Sequence, residues 1–250
     1  TPPQSVLYCD FALTEKQFEA RYSADYTNHY QFSPYFLRAE INPAMVIPAE
    51  FDNFESYLLA DIEYQIVNYN TKVLIIDNLT YLRSETEQAK DASPLMKQLK
   101  TLKNKYNLSL LVLAHTPKRD LSLPITRNDL QGSKMLMNFC DSAFTIGESA
   151  NDSTMRYLKQ IKQRNTEQVY GETNVCLCQI SKPHNFLCYE FISFGDEASQ
   201  LAKQKPTKED PLLPEVVKLK LEGLTLREIG RKLNISHQKA DRLLKINANR

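Results

Sequence analysis

Apolar and polar positions follow two rhythms along the chain, and one gives way to the other near Met155. Before that point, short unbroken apolar runs alternate with stripes spaced three to four residues apart. Ser5-Val-Leu-Tyr-Cys9, Tyr35–Ile41, Val73–Ile76, Leu108–Ala114 and Ser142–Ile146 read as strands. Phe54, Leu58, Ile62 and Ile66 fall four apart and predict a helix from about Asn53 to Asn68. Leu95, Met96, Leu99, Leu102 and Tyr106 mark the buried face of another helix, opened by Ser93-Pro94 with the serine as cap. A shorter helix from Leu13 to about Tyr22 takes Thr14 as its cap. Strands that alternate with helices predict an α/β fold with a mainly parallel sheet flanked by helices. Beyond Met155, the runs Met155–Ile161, Asn174–Ile180 and Phe186–Phe194 read as strands joined by turns, an antiparallel extension at one sheet edge.

Both rhythms stop after residue 196. Residues 197–213 are polar and proline-bearing and read as a linker, so the predicted organisation is a core over 1–196 and a small all-α domain over 214–250. Within that domain, Thr225 caps a first helix with Leu226, Ile229 and Leu233 facing inward. Asn234 turns the chain, Ile235 plugs the turn, and Ser236 caps a second helix packed through Ala240, Leu243 and Leu244. Small Gly230 allows close approach. The pattern predicts a helix-turn-helix with His237, Gln238, Lys239, Asp241 and Arg242 exposed, of which His237, Gln238, Lys239 and Arg242 are the candidate contacts to duplex DNA. A helical hairpin serving oligomer contacts has the same pattern.

Charge sharpens this division. Residues 201–250 hold 12 Lys/Arg against 6 Asp/Glu, whereas residues 1–200 hold 19 against 24. A basic tail on an acidic body points to an anionic partner for the tail, although a solvated helix pair carries similar charge. No apolar run approaches the roughly 18 residues of a membrane span, so no membrane partner is expected. Thr1-Pro-Pro-Gln has no secretory character, and the five cysteines form no metal-like pairing. Packed free thiols and a cytoplasmic location are the expectation.

Three segments carry candidate chemistry. Val73-Leu-Ile-Ile-Asp77 is an apolar strand delivering one carboxylate to its C-terminal end, where ligands of α/β sheets gather. Asp77 suits magnesium beside bound phosphates, or else caps the turn that Asn78 begins. His115 follows the next strand and is placed either to hydrogen-bond a γ-phosphate or to be satisfied by loop backbone. Lys162 and Arg164 lie two apart at a strand end and project to one side, as a finger toward a neighbouring subunit's triphosphate or as a solvated strand end.

In this order the segments resemble the RecA-type ATPase core over about residues 5–195, in the branch of DnaB-like and RepA-like hexameric replicative helicases. Val73–Asp77 looks like the Walker B strand, and Leu-Ala-His115-Thr-Pro-Lys118 like the γ-phosphate sensor. Asn128-Asp-Leu-Gln-Gly132-Ser133 with Cys140-Asp-Ser-Ala-Phe-Thr-Ile146 looks like the segment after the DNA-facing loop. Ile161-Lys-Gln-Arg164-Asn165 looks like the motif supplying a finger in trans. The resemblance implies ATP and Mg2+ as cofactors, Asp77 as metal ligand, and Asp77, His115, Lys162 and Arg164 as catalytic residues in a homo-oligomeric ring or filament. It also implies single-stranded DNA along the loop from Thr116 to Gln131, which carries Lys118, Arg119 and Arg127. No Gly-Lys-Ser/Thr phosphate loop occurs among the 250 residues, and its place in the family is just ahead of Ser5, so it is expected upstream of Thr1. Ala12 stands where the family carries its water-orienting glutamate, with Asp10 two residues earlier, which predicts nucleotide binding with hydrolysis slowed by orders of magnitude. The implied function is an ATP-dependent DNA motor or helicase-like ATPase in replication or mobilisation of a plasmid or mobile element. The alternative is a non-hydrolysing DNA-binding regulator with a degenerate core.

Overall fold

Four parallel strands form the centre of the first unit. They are β1 (Val6–Asp10), β4 (Phe36–Glu40), β5 (Val73–Asp77) and β6 (Ser109–Val112), in the order β4-β1-β5-β6. The computed structural model describes residues 2–41, 45–79, 92–116, 118–129, 134–203 and 210–248. Its chain separates into two units, Thr1–Ala202 and Lys203–Arg250.

The central parallel strands β1 and β5 bury one face fully, whereas Val6, Tyr8, Val73 and Ile75 on the other are half-buried and Leu111 of β6 is exposed. Alternation sends Leu7, Cys9, Leu74 and Ile76 to one face, where they are at most 1% exposed. There they meet α2 (Phe54–Asn68) and α3 (Ala92–Tyr106) through Leu58, Ile62, Leu95 and Leu99. Each such side chain contributes about 1.5–3 kcal/mol by leaving water. Asn53 caps α2, its Oδ1 accepting from Ser56 N at 2.8 Å. α3 begins at Ala92, one residue ahead of the expected serine cap. α1 (Glu15–Arg21) opens on a reciprocal cap between Thr14 and Gln17. A short hairpin that the periodicity gave no sign of, β2 (Ser23–Ala24) with β3 (Asn28–His29), follows α1.

The antiparallel strands require a correction. β7 (Ser142–Glu148), β8 (Met155–Gln163), β9 (Val175–Ser181) and β10 (Cys188–Gly195) hydrogen-bond among themselves as a separate sheet, order β10-β9-β8-β7, rather than extending the parallel one. Ser142–Ile146, read above among the parallel strands, pairs antiparallel with β8. Its exposed Phe144 and Ile146 share a face, so an apolar run at a sheet edge had the same appearance as a buried parallel strand. Aromatic rings tie the two sheets together at one end: Tyr22 beside α1 lies 5.1 Å from Phe186 in the β9–β10 connection. Lys182 Nζ donates to Ala20 O at 2.8 Å in the same place.

The second unit has three helices, α5 (Leu213–Leu221), α6 (Leu226–Lys232) and α7 (His237–Ala248). They close on Leu213, Val216, Leu219, Ile229, Ala240 and Leu243. A reciprocal cap between Thr225 and Glu228 starts α6. Asn234 takes the left-handed conformation at φ 51° to turn the chain, and Ser236 Oγ accepts from Lys239 N at 3.1 Å at the start of α7. Gly230 is required sterically, because a Cβ there would stand 2.7 Å from Ile235 O. Among the described residues no helix is long and apolar enough to cross a membrane.

Candidate functional site

In-register pairing sets Asp10 beside Asp77 at the C-terminal ends of β1 and β5. Phe11 N donates to Asp77 O at 2.7 Å, which carries the ladder one step past both acids. On the other side, Leu113 N donates to Ile76 O at 2.9 Å and Leu79 N to Leu113 O at 2.9 Å, so the segment leaving β6 stays alongside β5. It delivers His115 to the same edge, where Asn78 Nδ2 and His115 Nε2 are 3.0 Å apart. With the amide donating to Nε2, a neutral imidazole carries its proton on Nδ1, a donor for an anion outside. Asp77, buried Asn78 and exposed His115 thus form one continuous group.

The neighbouring aspartates have different surroundings. The Asp10 carboxylate is fully buried and accepts from Arg38 Nε at 2.9 Å, from Leu13 N at 2.9 Å and from Ala12 N at 3.3 Å. Arg38 is itself fixed, its guanidinium 4.2 Å from the Phe18 ring centroid and 3.1 Å from Glu40 Oε2. Asp10 therefore shapes the turn into α1 and has no carboxylate oxygen to offer a substrate. Asp77 Oδ2 accepts from Tyr8 Oη at 2.8 Å, while Oδ1 has no hydrogen bond among the described residues. Burial, followed by the Asp77 hydrogen bond, pushes the Tyr8 hydroxyl far above its usual range, so it remains a donor. Exposed Ala12 sits just past the Phe11–Asp77 bond and brings only a methyl group to this edge.

A lone carboxylate beside a solvent-facing imidazole fits a magnesium ion that arrives with phosphates and keeps most of its waters. Among the described residues no group of three or more His, Cys, Asp or Glu is placed to hold a metal without such a ligand.

Lys162 and Arg164 are brought together on the antiparallel sheet, and their partners there belong to α4 (Lys134–Phe139). Lys162 Nζ donates to Met137 O, and Arg164 Nη2 donates to Asn138 O at 3.0 Å. Two cations thus cap the last carbonyls of one short helix. Arg164 also lies 3.3 Å from Asp141, which Lys103 of α3 approaches at 3.1 Å. The hydrogen bond from Lys103, then its charge, holds the Asp141 carboxyl below the usual range. Arg164 remains about half exposed, its side chain 48% accessible.

The loop after His115 is anchored along much of its described length. Arg119 donates to Leu123 O and faces Asp129 at 3.6 Å, and Arg127 Nε donates to Ile161 O at 2.6 Å. Among the described residues, Lys118 is the exposed cation of this set without a hydrogen bond or ion pair. Pro117, Leu130, Gln131, Gly132 and Ser133 of these motifs lie outside the described residues.

Beneath this loop is a buried pair that the motif reading missed. Lys159 Nζ donates to Glu197 Oε2 and to Ile125 O at 2.9 Å, while Ile125 N donates to Glu197 Oε1 at 2.8 Å. Burial, then the Glu197 charge, pushes the adjacent Tyr157 hydroxyl up to about 12. The signal was present, since Lys159 shares a strand face with Tyr157 and Ile161 and so had to be buried with a carboxylate. Glu197, far along the chain, gave no indication of being that partner. Tyr8, Arg38 and Asn78 were likewise missed, because sheet register rather than motif places them.

In the helical unit, His237, Gln238 and Arg242 are exposed, whereas Lys239 is paired with Asp210 at 3.0 Å. No protein-family model matches the chain, and no curated protein matches it.

Proposed function

We propose that the chain is a nucleotide-dependent DNA-binding protein: a RecA-like core joined to a helix-turn-helix, working as an ATP-dependent motor or helicase-like ATPase in replication or mobilisation of a plasmid or mobile element. The observation that carries this reading is Asp77 with its open Oδ1, joined through Asn78 to His115 at the ends of neighbouring parallel strands. In it, Asp77 holds Mg2+ directly or through water, and His115 donates to the terminal phosphate of ATP. Single-stranded DNA runs along the core near Lys118, and duplex DNA meets α7. Arg164, about half exposed on the second sheet, reaches a neighbouring copy in a homo-oligomer.

The test is Mg·ATP binding and turnover, with and without single-stranded DNA, in the protein and in Asp77→Ala. The expected result is DNA-stimulated turnover lost in the variant, with Mg·ATP affinity at least tenfold weaker. Turnover that survives Asp77→Ala overturns the site.

A second reading, a DNA-binding regulator that holds nucleotide without hydrolysing it, draws support from position 12. Asp10 is locked to Arg38, so its carboxylate is not free to take the place of the glutamate that Ala12 replaces. Tight duplex binding with bound but unconverted ATP would select this reading over the motor.

A further inference from the structure

The helical unit segregates its charges. Glu228 accepts from Thr225 N and Oγ1, both at 2.7 Å, Asp210 pairs with Lys239 at 3.0 Å, and Asp241 pairs with Lys245 at 2.7 Å. Arg227, Arg231 and Arg242 are exposed and make no side-chain hydrogen bond or ion pair among the described residues. Arg227 and Arg231 stand four apart on α6, one turn from each other and on one face. Both line a shallow recess that His237, at the start of α7, lines with them. Backbone forms part of the recess wall, because Gly230 has no side chain and lies against Ile235.

We propose that Arg227 and Arg231 clamp the phosphate backbone of a DNA duplex at this recess, as a contact distinct from the base-reading side chains of α7. The inference rests on the helix-turn-helix reading above and adds a division of labour to it. Planar guanidinium groups one helical turn apart can each take a phosphate on one strand in bidentate fashion. Asp210 and Asp241 are each paired with a lysine, and Glu228 is turned back onto Thr225 at the start of α6. Gln238, neutral and exposed in the first turn of α7, has the amide that pairs with an adenine edge. Phosphate contacts set affinity and its salt dependence, whereas base contacts set preference among sequences.

The experiment is a salt series on the full chain, with duplexes of several sequences and a single strand of equal length, read by fluorescence anisotropy. Arg227→Ala/Arg231→Ala should flatten the plot of log affinity against log salt by about 1.8, near 0.9 for each phosphate released. The loss should be equal for every sequence, and Arg227→Lys/Arg231→Lys should restore most of the slope. Gln238→Ala should leave the slope unchanged and narrow the spread between sequences. An unchanged slope in the double alanine variant, with duplex binding intact in the parent, overturns the clamp alone. An equal loss of slope with the single strand in the double alanine variant overturns the duplex as its occupant. A parent without duplex binding at low salt overturns the helix-turn-helix reading on which the clamp rests. Unaltered helical circular dichroism in each variant separates lost contacts from lost fold.

Discussion

Residues 1–202 and 203–250 carry the same kinds of charged side chain and use them in opposite ways. In the first unit the cations are fasteners: Arg38 holds Asp10, Lys159 holds Glu197, Arg127 holds Ile161 O, and Lys162 with Arg164 closes the end of α4. In the second unit three acids are the fasteners, Glu228 capping α6 and Asp210 and Asp241 pairing with lysines, while Arg227, Arg231 and Arg242 are exposed. The difference follows from architecture. The connections around the two sheets place Ile125 O, the helix-end carbonyls of α4 and the buried carboxylates of Asp10 and Glu197 within reach of a long cation. In the helical unit the acids are held locally instead, Glu228 at the start of α6 and Asp241 by Lys245 one turn along α7. Capacity for anions is accordingly concentrated in the helical unit, and the sheet edge is left with one open carboxylate oxygen and one imidazole.

The most forceful way to break this contrast is to remove a fastener from the interior. Lys159→Ala leaves the Glu197 carboxylate, 1% exposed, without its cation and Ile125 O without its donor. Losing one member of a buried pair costs about 3–5 kcal/mol. Urea unfolding should show that loss, and Lys159→Met/Glu197→Leu should recover much of it, since an apolar pair of similar volume leaves no unpaired charge. If Lys159→Ala costs under about 1 kcal/mol, the cations of the first unit are not fasteners and the comparison collapses.

A smaller effect should be confined to the other unit. Gly230→Ala brings a Cβ to 2.7 Å from Ile235 O, a backbone atom that cannot rotate away. The expected cost is about 1–3 kcal/mol, typical of overpacking. Hydrogen exchange should quicken across α6 and α7 and remain unchanged in β1, β5 and β6, because separate units respond independently. Quickened exchange in the parallel strands would show that the two units are energetically one.

How much of this was legible in the sequence depends on the range of the interaction involved. The strands Val73–Asp77 and Phe36–Glu40, the stripe of α2 and the caps Thr14, Thr225 and Ser236 are local patterns, and they are found where the sequence placed them. Asp77 and His115 were also local signals, each at the end of an apolar run, and register brings them to one edge. What escaped is non-local. Nothing near Asp10 reveals that Arg38, reached through parallel pairing, occupies its carboxylate. Nothing near Lys162 reveals that α4 ends beneath it, so a side chain read as projecting outward proves to be a cap. The membership of β7 turned on pairing rather than composition, and an apolar run at an exposed edge is indistinguishable by periodicity from one in a buried sheet.

The mildest prediction concerns the fastener that the proposed assembly borrows. Arg164 and Asp141 are each about half exposed, at 48% and 49%, so Arg164→Ala should cost less than about 1 kcal/mol near neutral pH, and less still in high salt. The acid side has a definite sign. Lys103 holds the Asp141 carboxyl below its ordinary range in the folded protein, so the stabilisation is fully present above the unfolded value of about 3.9 and is lost as pH falls through the lower folded value. Lys103→Ala should therefore flatten the acid limb of the stability curve while changing the neutral limb little. Because Arg164 contributes so little to its own fold, a stability readout and an assembly readout can be separated in one variant. If Arg164→Ala retains its unfolding midpoint yet fails to self-associate with Mg·ATP, the side chain serves a neighbouring copy and Asp141 only holds it in reserve. If both are unchanged, Arg164 is a surface cap of α4 and joins Arg38, Lys159, Arg127 and Lys162 as a structural cation.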